Sequence, residues 1–119
     1  MLKTLRTPET ERVYQEFKEQ NPDHCPYCSQ DLLIQDSFNV DGEIINDWIL
    51  IQNRFPYDRF YVVNDMLAPK EHISKLNQSQ KVDLEILLEY LSQYYHQIIW
   101  NVPARQSISH FHVHLVNFE

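Results

Sequence analysis

Gln106-Ser107-Ile108-Ser109-His110-Phe111-His112-Val113-His114-Leu115-Val116-Asn117 is the stretch on which the fold turns. Histidine recurs at every second position, with Phe111, Val113 and Leu115 between. Strict alternation with aromatic and β-branched partners predicts a strand with one buried face. Successive strand side chains point to opposite faces, so His110, His112 and His114 share one face, about 6.5–7 Å apart, and the apolar set enters the core. Three imidazoles on one rigid face form a preorganised array that titrates near neutral pH. A purification tag would be a contiguous histidine run, and this pattern is amphipathic.

Working outward, Gln78 to about Trp100 reads as one helix of about six turns. Leu84, Leu87, Leu88, Leu91, Tyr94, Tyr95 and Ile98 fall at i, i+3, i+4 spacing, and Asn77 with Gln80 forms a capping-box pattern. His96 then belongs to that helix face. Thr7-Pro8-Glu9-Thr10-Glu11 reads as a helix start, and Val13, Tyr14 and Phe17 carry a short amphipathic helix to about Gln20, assigned to packing alone. Leu32-Leu33-Ile34 suggests a short strand, Asn39 to Glu43 a turn around the only glycine, and Ile44 to Gln52 a central strand. Strand resumes over Phe60-Tyr61-Val62-Val63 and Met66-Leu67 and closes in the loop Pro69-Lys70-Glu71-His72. Helix, strands, helix and strand make an α+β class within a single domain, 1-119.

The composition is that of a soluble globular protein. No apolar run approaches the roughly 18–20 residues of a membrane span, and nothing at the N-terminus reads as a secretory signal, so the expected localisation is cytoplasmic. A net charge of −7 works against a long nucleic acid as partner, since such a surface needs clustered Lys and Arg. A small phosphorylated ligand needs only a few local donors. The two cysteines, Cys25 and Cys28, make no disulfide framework. Cys25-Pro26-Tyr27-Cys28 has two readings: half of a tetrahedral zinc site, or a redox dithiol resembling that of glutaredoxins.

The motif His-φ-His-φ-His-φ-φ behind Gln106-Ser107 resembles the signature of the histidine triad (HIT) superfamily of nucleotide hydrolases and transferases. Pro69-Lys70-Glu71-His72 resembles the family's Pro-Lys-x-His segment, and Asn53-Arg54-Phe55-Pro56-Tyr57 its Asn-x-φ-Pro-φ segment. Together these cover roughly residues 24–116. The resemblance implies a HIT-like fold: an antiparallel sheet of about five strands, one long helix and a short N-terminal helix. Residues 1-22 are then an N-terminal helical extension and residues 23-119 the core.

The resemblance also implies a structural zinc held by Cys25, Cys28, His72 and His110, with His24 a weaker candidate. His112 takes the place of a nucleophile at the α-phosphorus, forming a nucleotidyl-histidine. His114 and Ser107 would donate hydrogen bonds to the phosphate and leaving group. Gln106 lies beside the phosphate, and Asn53, Phe55 and Pro56 contact the nucleoside. The expected substrate is a nucleoside 5′-phosphoramidate or dinucleoside polyphosphate, and the expected assembly a homodimer. Arg105 and Asp58-Arg59-Phe60 stand where the family usually carries glycine. They motivate a second reading, a zinc-stabilised module that binds nucleotide without turnover. A glutaredoxin-like oxidoreductase using Cys25 is the third.

Overall fold

A computed structural model describes residues 4–101 and 109–119. In chain order its elements are α1 (Pro8–Gln20), β1 (Leu33–Gln35), β2 (Phe38–Val40), β3 (Glu43–Ile45), β4 (Trp48–Gln52), β5 (Val63–Pro69), α2 (Gln78–Leu91), β6 (Gln97–Ile99) and β7 (Val113–Asn117). Five strands form an antiparallel sheet in the order β1-β4-β5-β7-β6, and β2 and β3 pair separately as a hairpin. This is an α+β architecture. No helix among the described residues is long and apolar enough to cross a membrane.

The histidine-bearing strand lies inside the sheet, between β5 and β6, with His114 opposite Met66 on one side and Ile99 on the other. Its alternation sorts the two faces as the period-2 pattern predicts. Phe111, Val113 and Leu115 join Trp48, Leu50 and Leu67 against Leu84, Leu87 and Leu91 of α2 and Phe38 and Ile45 of the hairpin. The opposite face carries Ile49, Ile51, Met66 and Ala68 under Tyr27. Of the three histidines only His114 lies within β7, which begins at Val113. His110 and His112 precede it, and all three are buried, so the histidine side is covered as well as the core side.

Local signals set the helix starts. Thr7 Oγ1 accepts the Thr10 N–H, with Pro8 in the first turn, and Asn77 and Gln80 close the capping box at α2. At the only glycine the hairpin turns through Asp41 (φ +52°) and Gly42 (φ +89°), with Val40 opposite Glu43. Two successive positive φ values define the primed turn that matches strand twist, and Gly42 supplies one without strain.

Four sequence expectations are corrected. The second helix ends at Leu91, where the Ser92 N–H donates to Leu88 O and Ser92 Oγ to Glu89 O. The chain beyond it pairs with β7, so the two helices have similar lengths, 13 and 14 residues, rather than one short and one long. His96 lies outside the helix, its N–H donating to Val116 O and Asn117 Oδ1. The run Ile44 to Gln52 is broken at the exposed pair Asn46-Asp47, where the chain leaves the hairpin for the main sheet. Strand also begins at Val63 rather than Phe60.

Candidate functional site

Cys25 and Cys28 sit in the turns after α1, His72 follows β5, and His110 lies at the bend before β7. Their ligand atoms lie within 4.8 Å of one another. Cys25 Sγ and Cys28 Sγ are 3.5 and 3.6 Å from His110 Nδ1, Cys28 Sγ is 3.2 Å from His72 Nδ1, and the two Nδ1 atoms are 3.2 Å apart. A tetrahedral centre with imidazole bonds of about 2.0–2.1 Å and thiolate bonds of about 2.3 Å has N–S edges near 3.6 Å and N–N edges near 3.3 Å. The four side chains therefore fit a tetrahedral metal ion.

The hydrogen bonds around these ligands agree. His110 Nε2 lies 2.6 Å from Pro69 O, which can only accept. The ring proton is thus on Nε2, and the Nδ1 lone pair faces the cluster. Burial pushes the His110 pKa down, against the hydrogen bond to Pro69, and keeps the imidazole in the neutral form a metal requires. His24 stands outside this set, its Nε2 bonded to Asp31 Oδ2 at 2.6 Å. The Cys28 thiol is pushed up by burial and by Cys25.

His112 is held by the same bend. Its Nδ1 lies 2.8 Å from His110 O, again an obligatory acceptor, so Nδ1 carries the proton and Nε2 the lone pair. Its ring stacks on Tyr27 at 5.0 Å. Among the described residues no hydrogen-bond partner occupies Nε2. Burial pushes the His112 pKa down, so the ring is neutral near pH 7.

His114 is placed differently. Nε2 lies 3.1 Å from Tyr57 Oη and Nδ1 lies 3.0 Å from Asn64 Nδ2, while the Tyr57 ring stacks on the imidazole at 4.3 Å. Burial pushes its pKa well down, and His112 and Arg6 act in the same direction.

Both rings open on a pocket of 330 Å³ whose walls include Tyr14 and Phe17 of α1, Phe55, Tyr57 and Arg6. That volume suits a small ligand held between apolar walls with a few placed polar groups. Assigning α1 to packing alone is thereby corrected, since the helix forms one wall of the pocket. It is fastened there by Asp58, whose carboxylate accepts from Thr7 N (2.9 Å) and Thr10 Oγ1 (2.6 Å). Arg6 Nε donates to Phe55 O at 2.6 Å, and its guanidinium lies 4.1 Å from the Tyr14 ring and 5.1 Å from the Tyr57 ring.

Of the residues singled out from sequence, Cys25, Cys28, His72 and His110 converge, and His112, His114, Asn53 and Phe55 line the pocket. Pro56 does not line it; its carbonyl accepts from Asp58 N in the turn behind. Gln106 and Ser107 lie outside the described residues. Arg6, Tyr27, Tyr57 and Asn64 belong to the site and were not foreseen in these roles. A signal for Asn64 was present, because a polar pair, Asn64-Asp65, interrupts an otherwise apolar strand and must be satisfied there. No protein-family model, curated protein or solved structure matches this chain.

Proposed function

We propose that this protein is a nucleotide hydrolase or nucleotidyltransferase of the HIT type, acting at the α-phosphorus of a nucleoside 5′-phosphoryl substrate. One observation carries the reading: a neutral His112 presents the Nε2 lone pair at the pocket while Nδ1–H is tied to a main-chain carbonyl. That is the form in which an imidazole attacks phosphorus. Nε2 forms the N–P bond as the bond to the leaving group breaks, and the leaving group departs with the electron pair. The ring gains positive charge, and His110 O, already at Nδ1–H, stabilises it. Water then attacks the same phosphorus, releases the nucleoside monophosphate and returns His112 to its neutral form.

The metal that the four-residue cluster fits is zinc in this reading, by its two thiolates and two imidazoles. It would be structural, tying the Cys25–Cys28 turns to the bend from which His112 projects. The same resemblance implies a homodimer. Support comes from β6, which among the described residues pairs only with β7 and lies at the end of the sheet, with Ile98 and Trp100 exposed.

The test is turnover of adenosine 5′-phosphoramidate by the wild type and by His112→Asn. AMP release by the wild type alone supports the enzyme. Nucleotide binding without turnover in either would replace it with the binding module.

A further inference from the structure

We propose that Tyr57 is a fixed hydrogen-bond donor to the substrate's phosphoryl group, and that Asn64 and His114 are positioning residues that aim its hydroxyl. This rests on the phosphoryl-transfer reading of the pocket and departs from a direct contact between His114 and substrate.

The hydrogen-bond directions follow from groups that have no choice. The Tyr57 main-chain N–H lies 2.9 Å from Asn64 Oδ1, so that atom must be the carbonyl oxygen of the amide. Asn53 Nδ2 donates to the same oxygen at 3.0 Å, and Asn53 is itself oriented by the Phe55 N–H on its Oδ1 at 3.0 Å. The Asn64 amino group therefore faces His114 Nδ1, at 3.0 Å. An amino group only donates, so Nδ1 accepts and the proton of the neutral imidazole sits on Nε2. His114 and His112 are thus opposite tautomers two residues apart, their rings 5.2 Å from centre to centre.

His114 Nε2–H then donates to Tyr57 Oη at 3.1 Å, and Asn101 Nδ2 donates to the same oxygen at 2.8 Å. Two incoming hydrogen bonds occupy the acceptor capacity of a phenol oxygen, which turns its own O–H away from both. Tyr57, Asn101 and His114 all line the pocket, and the third direction at the hydroxyl is the one the proposal assigns to the substrate. The ring cannot swing freely, being held between His114 and the Arg6 guanidinium. Burial raises the phenol pKa, so Tyr57 keeps its proton and contributes a hydrogen bond rather than a proton transfer. Both nitrogens of His114 are engaged, and its effect on substrate passes through Tyr57.

The experiment combines long-range ¹⁵N–¹H correlation spectra of histidine-labelled protein with the variants Tyr57→Phe and Asn64→Asp. The wild type should show His114 protonated at Nε2 and His112 at Nδ1. Asn64→Asp, which places an acceptor opposite Nδ1, should move the His114 proton to Nδ1. Tyr57→Phe retains the stack on His114 and the contact with Arg6 and should lower kcat on the phosphoramidate by about 10²-fold with KM little changed, as for loss of one transition-state donor. A wild-type His114 protonated at Nδ1, or an unaltered kcat in Tyr57→Phe, overturns the proposal. Should the wild type turn nothing over, the enzymatic reading falls by itself. AMP titration then decides, with about tenfold weaker binding by Tyr57→Phe expected and equal affinity overturning the donor role.

Discussion

Removing the metal should loosen the nucleophile as well as a surface turn. The Cys25–Cys28 region contains no helix or strand, and Gln30 and Leu32 behind it hold positive φ values of +51° and +49°. Left-handed backbone at residues other than glycine costs about 1–2 kcal/mol each and persists where surroundings impose it. Tyr27, within the same turns, is 1% exposed and packs on both His110 and His112. A metal bound only by the native state stabilises it by about 3–4 kcal/mol when its free concentration is 100 to 1,000 times the dissociation constant. At about 4 °C per kcal/mol for a chain of this size, chelation should lower Tm by about 12–16 °C. Cys28→Ser should reproduce that loss. The assay is scanning calorimetry with and without chelator, alongside elemental analysis expected to find one zinc per wild-type chain and none in Cys28→Ser. AMP release should fall by about 10²-fold in parallel, because displacement of the nucleophile by 1 Å suffices for that. If stripped and loaded protein melt within about 2 °C of each other, the four side chains are no metal site and the reasoning fails.

Two carboxylates should give opposite pH slopes. Asp58 is raised by its partial burial but more strongly lowered by hydrogen bonds from Thr10 and Thr7, so its net folded pKa is depressed. Its contribution is complete above the unfolded value, about 3.9, and is lost as pH falls through the folded value. Asp58→Asn should therefore narrow the stability difference between pH 5 and pH 2, by about 1 kcal/mol given its exposure, and equal slopes for variant and wild type would refute the clasp. Asp65 is raised by burial, against the lowering effect of Tyr95, whose hydroxyl donates to it at 2.6 Å. It favours the folded state at low pH and loses that advantage as pH rises from the unfolded value through the raised one. Asp65→Asn, followed by urea midpoints, should flatten that decline and gain stability at pH 7. Unchanged or lower stability there would show that the charge is already compensated. Sedimentation at micromolar concentration should find a dimer, broken by Ile98→Lys; a monomeric wild type would remove the homodimer from the proposal.

The inward set Phe111, Val113 and Leu115 was legible because period-2 alternation sorts the two sides of an extended chain. The start of β7 at Val113 and the burial of the histidine side depend instead on what packs over it. The helix starts were legible because Thr7 and Asn77 act through atoms three residues away. The end of α2 was not. Tyr94, Tyr95 and Ile98 continue the leucine spacing, yet Gln97–Ile99 gains its hydrogen bonds from β7, a partner that local periodicity cannot express. The adjacent β-branched pair Ile98-Ile99, followed by Trp100, was the available warning. The metal ligands were approached through a family resemblance rather than through spacing alone, since Cys25 and His110 are 85 residues apart. The Tyr57–His114–Asn64 arrangement depended on which strand β7 pairs with and in which register, and no single stretch contains that.

In the proposed reading, His110 links the candidate metal cluster to His112. Its three polar groups serve three neighbours: Nδ1 faces the cysteines and His72, Nε2–H holds Pro69 O, and the main-chain oxygen holds His112 Nδ1–H. The carbonyl that selects the tautomer of His112 thus belongs to a residue fixed on one side by the end of β5 and on the other by the cluster. A side-chain change at His110 leaves that carbonyl chemically intact and removes what holds it in place. Under the proposed function the cluster would therefore act on His112 through position, with neither a bound metal nor its ligands needing to reach the phosphorus.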